Sequence, residues 1–197
     1  MAKKKPAKKS KDKKDMKKVT TPKFRVAFAS VFNARSQEHE DGTEGKPKYS
    51  LVMIFDEDAD LAKMLKLAKQ VAKDKWGDKI PRSARVNPFR DGGEKEDEGV
   101  EGFEEGMQFA TASTFFRPGI VDKDLEPILD QDEFYSGCYA RATISAYAYE
   151  VKGNKGVAFG LLNIQKLKDG DSLSGRTSAE DDFDAADDDD GEDDWDE

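Results

Sequence analysis

Charge is segregated along this 197-residue chain so that only its middle is suited to folding. Residues 1–23 carry eleven lysines against Asp12 and Asp15, while residues 180–197 carry thirteen Asp or Glu and no base. Like-charge blocks of this density repel themselves and bury too little apolar surface to offset chain entropy, so both ends read as disordered interaction tails. The predicted organisation is a lysine-rich arm over 1–22, a folded domain over 23–171, and a linker with an acidic tail over 172–197. Such a body suits a protein that handles a polyanion and carries its own anion as competitor.

Roughly 150 residues between the tails suffice for one domain with one core. No apolar run approaches the length of a membrane span, and the basic N-terminus lacks the apolar stretch of a secretory signal. Cys138 is the only cysteine and His39 the only histidine, which points to a reducing, intracellular setting. The same scarcity leaves almost no room for His–Cys, Ser–His–Asp or zinc chemistry. The dense carboxylates lie in Glu94–Glu105 and the tail, where fixed geometry is not expected, and no Gly-x4-Gly-Lys phosphate loop is present. We therefore expect no enzyme activity, no cofactor and no metal.

Between the tails the pattern is mainly of strands. Phe24–Phe32 alternates with Phe24, Phe28 and Phe32 on a core face; Tyr49–Phe55 is almost wholly apolar. Asp56–Trp76 switches to helical period, with Leu61, Met64, Leu65, Ala68, Val71 and Ala72 on one stripe and lysines off it. Asp56, Glu57, Asp58 and Asp60 suit the positive end of that helix. Gly92–Gly106 reads as an acidic, glycine-rich open loop. Met107–Phe116, Tyr135–Val151 and Val157–Leu167 read as strands, the last two joined by a hairpin turn at 152–156. One main helix with five or six strands predicts a small, mostly β, mostly antiparallel barrel, and an OB-type barrel with one helix fits. A β-sandwich is the alternative.

The strand through Cys138–Val151 carries the functional reading. Cys138, Ala140, Ala142, Ile144, Ala146 and Ala148 suit a tight interior, so Tyr139, Arg141, Thr143, Ser145, Tyr147 and Tyr149 must face the other way. Rings beside a cation are what single-stranded nucleic acid uses: bases stack on the rings and phosphates meet the charge. Cross-strand pairing is the structural use of the same tyrosines. Arg82, Arg85 and Arg90 around Phe89 resemble a basic binding loop, Phe115-Phe116-Arg117 repeats the pairing with Phe116 and Arg117 as the contacts, and Lys155 lies in the hairpin turn. At least one of Phe115 and Phe116 is expected in the core. Phe183 and Trp195 within the acidic tail suit docking on a basic groove of a partner.

Phe134–Ala142 (FYSGCYARA), Asn154–Phe159 (NKGVAF), Asn163–Lys166 (NIQK) and Asp169-Gly170 together resemble the bacteriophage OB-fold single-stranded DNA-binding proteins. Arg117-Pro118, Val121-Asp122 and Asn87–Gly92 (NPFRDG) fit the same pattern. The resemblance implies a five-stranded OB-type antiparallel barrel in a non-enzymatic protein that coats single-stranded DNA during phage replication or recombination in the cytoplasm of the infected bacterium. It further implies that the acidic tail contacts replication proteins such as polymerase or helicase. Homodimerisation is left open. The rival readings are an acidic-tailed adaptor or chaperone that binds peptides, and a metal-dependent nuclease.

Overall fold

The computed structural model describes residues 18–36, 42–151 and 153–173. The expectations placed on the lysine-rich arm up to residue 17, on His39 and on the acidic tail with Phe183 and Trp195 lie outside the described residues. The elements run β1 (Val19–Thr20), β2 (Phe24–Arg35), β3 (Lys48–Phe55), α1 (Ala62–Trp76), β4 (Arg90–Asp91), α2 (Gly93–Glu96), β5 (Gln108–Thr114), β6 (Gly119–Val121), β7 (Tyr139–Val151) and β8 (Asn154–Lys168). Strands pair in the order β7-β2-β3-β5-β8, and β8 returns to β7, so five strands close a ring. The pairings are antiparallel except β5–β8 and β6–β8, which are parallel. This is the mostly β, OB-type architecture that the pattern predicts.

The inside of the ring is apolar and ring-rich. Phe24, Leu51, Met53, Phe55, Ile144, Phe159 and Leu161 are all within 2% of full burial. Phe24–Phe55, Phe55–Phe89 and Phe89–Phe159 form a chain of edge-to-face contacts at 5.6–5.8 Å. Helix α1 contributes Met64 to this core, while Ala68 and Ala72 seat against Val157 of β8. The helix begins at Ala62 rather than Asp56. Asp60 accepts a hydrogen bond from the Ala62 N–H at 3.0 Å, so its carboxylate serves the helix start from outside the first turn.

Four expectations are corrected. Val19 and Thr20 already pair with Ile144 and Thr143, and Thr21 is buried with its hydroxyl accepting from the Ala142 N–H, so the body starts before residue 23. Of the three phenylalanines predicted on one face of β2, Phe24 is fully buried and Phe32 is half-buried against the same core, but Phe28 is not core. Between Ala27 and Ser30 strand β2 advances three residues while β3 advances two, from Val52 to Ser50. The extra residue is Phe28, whose φ of 48° turns its ring outward to 57% exposure and flips the inward parity to Val31.

Residues 92–106 are also not an open loop. Phe103 is 3% exposed and packs with Ala27, Ile54 and Phe109 on the outer side of β2, β3 and β5. Val100, Met107 and Leu173 complete this second cluster, which extends the body to residue 173. Finally, Phe115 and Phe116 are both exposed, at 57% and 82%, where one was expected inside.

Near the C-terminal end of the ring, Cys138 is wholly buried and its thiol is pushed up to about 11 by loss of solvation. Desolvation likewise raises the phenol of Tyr135, which donates to Asp169 and to the Gly170 carbonyl. Burial works against the charge on Lys166, but the Asp169 carboxylate at 2.7 Å holds its pKa up. All three shifts act in one direction. The unfolded chain gives up these protons at lower pH than the native one, so stability should fall as pH rises past about 9 toward 11. Two pH units at Cys138 correspond to about 2–3 kcal/mol. Urea midpoints at pH 8 and 10.5 would show the loss, and Cys138→Ala should reduce it. An unchanged midpoint would contradict this account.

Candidate nucleic-acid interface

Alternation along β7 puts Cys138, Ala140, Ala142 and Ile144 at 2% exposure or less on the inside, and the tyrosine row on the outside. The rings are not equivalent. Tyr147 is 43% exposed and stands opposite Ala158, a small residue that leaves its faces open. Tyr149 lies over Gly156: a Cβ there would meet its hydroxyl at 2.6 Å, so the glycine is what allows the ring to lie down. Tyr139 lies over Gly170 in the same manner and carries the ammonium of Lys168 at 4.4 Å and of Lys23 at 5.3 Å from its centroid. Eight residues of strand separate Tyr139 from Tyr147, about 26 Å, so the row forms two patches rather than one strip. Arg141 stands between them, exposed, donating to Gln165 Oε1 at 2.8 Å. Ser145, expected outward, is 5% exposed because it is tucked over Gly160.

The basic loop divides in the same way. Arg82 and Arg90 are exposed. Arg85 pairs its backbone with Lys155 and Val157 at the rim of the β7–β8 hairpin, and its guanidinium donates to the carbonyls of Asn87 and Phe89. This brings Arg85, Lys155 and Tyr149 together. Lys155 pairs with Glu150 at 3.3 Å, and Glu150 also accepts from the Trp76 indole N–H at 3.0 Å. That indole bond, then Lys155, holds the Glu150 carboxyl below its usual range. Phe89 is a correction: at 5% exposure, between Phe55 and Phe159, it has no face left for a base.

A second surface, only partly read from sequence, lies at the far end of β5. Phe116 is exposed at the strand end, with Arg117 placing its guanidinium 5.7 Å from the Phe32 ring. Phe115 has the Lys48 ammonium 5.2 Å from its centroid, and Lys48 is the register partner of Arg35. Phe32 and Lys48 are not among the predicted contacts, and Phe115 is read from the sequence only as part of the Phe115-Phe116-Arg117 pairing. The signal was present: consecutive phenylalanines on a strand cannot both face inward, and a turn follows them directly.

Between this surface and Tyr147 the outer side of the ring is smooth. Ser30, Ser50, Ser113, Gly160 and Ser145 are successive register partners across β2, β3, β5, β8 and β7. The opposite margin is acidic. The lobe over 92–106 exposes Glu94, Glu96, Asp97, Glu98, Glu101, Glu104 and Glu105. Among the described residues no group of three or more His, Cys, Asp or Glu is placed to hold a metal ion, and no helix is long and apolar enough to cross a membrane.

A closed five-stranded ring with exposed rings and cations on its outer side is the architecture of OB-type nucleic-acid binders. Comparison with known proteins makes the assignment specific. The family model described as Enterobacter phage Enc34, ssDNA-binding protein, matches residues 17–194, and the chain belongs to that family. Protein p50 of Acyrthosiphon pisum secondary endosymbiont phage 1 is 32% identical over 169 residues, covering 80% of this chain and 87% of that protein. The solved single-stranded DNA-binding protein of bacteriophage Enc34 is similar with a TM-score of 0.61 and 22% identity, over 85% of this chain and 90% of that one. The same phage protein in complex with ssDNA matches with the same score over 79% and 88%. Gp2.5, a single-stranded DNA-binding protein encoded by bacteriophage T7, matches at TM-score 0.57 and 12% identity, over 84% and 92%. The family is one of DNA-binding proteins, not of enzymes.

Proposed function

We propose that this protein binds single-stranded DNA without strong sequence preference and coats it during phage replication and recombination in the cytoplasm of the infected bacterium. The observation that carries the reading is the outward display of Phe115, Phe116 and Tyr147, each more than 40% exposed, with Lys48 and Arg117 beside the strand end. Base stacking on such rings is sequence-tolerant because every base has a π-face, and nearby cations follow the backbone. The acidic lobe supports one placement of the strand: phosphates toward Lys48, Arg35 and Arg117, away from Glu101 and Glu104. The acidic segment 180–197 competes with phosphate for cationic surface and recruits replication proteins when DNA displaces it.

Titration with oligo-dT at several salt concentrations, following tryptophan emission, tests this directly. Binding should be saturable, and log K should fall with log salt at about −0.7 per phosphate neutralised. No binding at low salt would reject the proposal. Tyr147→Ala should weaken binding by about 1–3 kcal/mol. A loss below about 0.5 kcal/mol would assign that ring to the surface alone. Removing residues 180–197 should tighten binding at low salt, and an unchanged Kd there would reject self-competition.

A further inference from the structure

Helix α1 presents a second cationic surface that the aromatic face does not use. Lys63, Lys66, Lys69 and Lys73 are exposed along one side of the helix. Lys73 meets Asp78 at 3.5 Å, whereas Lys63, Lys66 and Lys69 have no ion pair among the described residues. Lys66, Lys69 and Lys73, spaced i, i+3 and i+7, border an open depression of about 460 Å³ with Ala62, Leu65 and Gln70. Its floor is apolar and its rim is positive. No aromatic ring lines it, so a nucleic acid would find charge there but nothing on which to stack a base.

We propose that the acidic segment 180–197 of the same chain docks on this face, its carboxylates along Lys66, Lys69 and Lys73 and Phe183 or Trp195 on Ala62 and Leu65. Charge complementarity is the first argument: thirteen carboxylates without a base face a row of lysines with an apolar floor. Where the described chain ends is the second. Leu173 is held in the cluster of Phe103 and Val100, beside the exposed Glu101 and Glu104, a margin that disfavours the carboxylates of 180–197 among the residues that follow. Those 24 residues span at most about 80 Å. A domain of this size has a radius of gyration of about 15 Å. Single exposed ion pairs are weak, but tethering supplies an effective concentration of about millimolar, so a weak seat is enough. The proposal rests on reading the segment as a competitor for cationic surface. It adds that α1 and the aromatic face compete for one tail.

The test compares Lys66→Glu/Lys69→Glu/Lys73→Glu in the full chain and in a chain ending at Ala179, which keeps every contact of the described fold. Losing the seat frees the tail to compete with DNA. Affinity for oligo-dT should therefore drop about 5-fold or more in the full chain and stay unchanged in the shortened one. Equal weakening in both would mean that α1 touches nucleic acid directly, and no change in either would mean that the tail is not seated there. Both results overturn the proposal. Carbodiimide cross-linking of the full chain without DNA is read separately from DNA affinity. Links from Lys63, Lys66, Lys69 or Lys73 to residues 180–197 should form within single chains in a mixture of light and heavy isotope-labelled protein. Links between chains would name a second copy as occupant, and none would leave the face unoccupied; either refutes docking in cis. Absence of oligo-dT binding by every variant would instead reject the nucleic-acid reading while leaving the cross-links to judge the seat.

Discussion

Replacing Phe89 by Ala should destabilise the fold by about 3–5 kcal/mol, the range for deleting a buried aromatic ring. The ring is 5% exposed and bridges Phe55 and Phe159 at 5.8 and 5.6 Å, so its loss opens a cavity between two strands that cannot easily collapse. The backbone at this position is fixed as well. Its N–H donates to Asn87 Oδ1 at 3.1 Å and its carbonyl accepts from Arg85, which holds the 81–90 loop against the hairpin. Phe116→Ala is the matched control. At 82% exposure that ring should contribute within about 0.5 kcal/mol to stability. Urea unfolding separates the two, with the midpoint shifting at constant slope for Phe89 only. A shift below about 1 kcal/mol at Phe89 would show that its ring is not part of the core.

Phe89 and Phe116 also mark what a single sequence can yield. Both sit next to arginines near turn residues, and periodicity offers no means of telling one from the other. Burial decides, and burial here comes from long-range partners: Phe159 is seventy residues beyond Phe89. Regular alternation was legible where it persisted, as in β7, where Ala140, Ala142 and Ile144 are inside and Tyr147 is out. It failed at Phe28 because one inserted residue with positive φ reverses the parity of everything after it, and the residue is not a glycine that would announce the bulge. The acidic lobe looks open from its sequence for a related reason. Its charges are real and exposed, but two apolar side chains, Val100 and Phe103, are enough to fasten it to the sheet once Ile54 and Phe109 are presented on the outer side. Strands β1, β4 and β6 have two or three residues each, too few for any period to register.

Exchange of both Phe115 and Phe116 for Ala should weaken single-stranded DNA binding by about 2–4 kcal/mol while leaving the urea midpoint in place. Each stacked base is worth about 1–3 kcal/mol, and the pair offers two exposed rings at one strand end. At 1.4 kcal/mol per tenfold, the expected change in Kd is about 30- to 1,000-fold. Lys48→Ala differs in kind. The ammonium sits 5.2 Å from the Phe115 centroid, where it can meet a phosphate while bracing the ring. Its removal should therefore reduce the salt slope by about 0.7 as well as the affinity, whereas the double Phe variant should keep the slope and lose affinity at every salt concentration. The two signatures separate stacking from charge on one surface. A double variant that binds as tightly as the parent would place the DNA elsewhere on the ring, and Tyr147 with Arg85 and Lys155 at the hairpin would then be the contact to pursue.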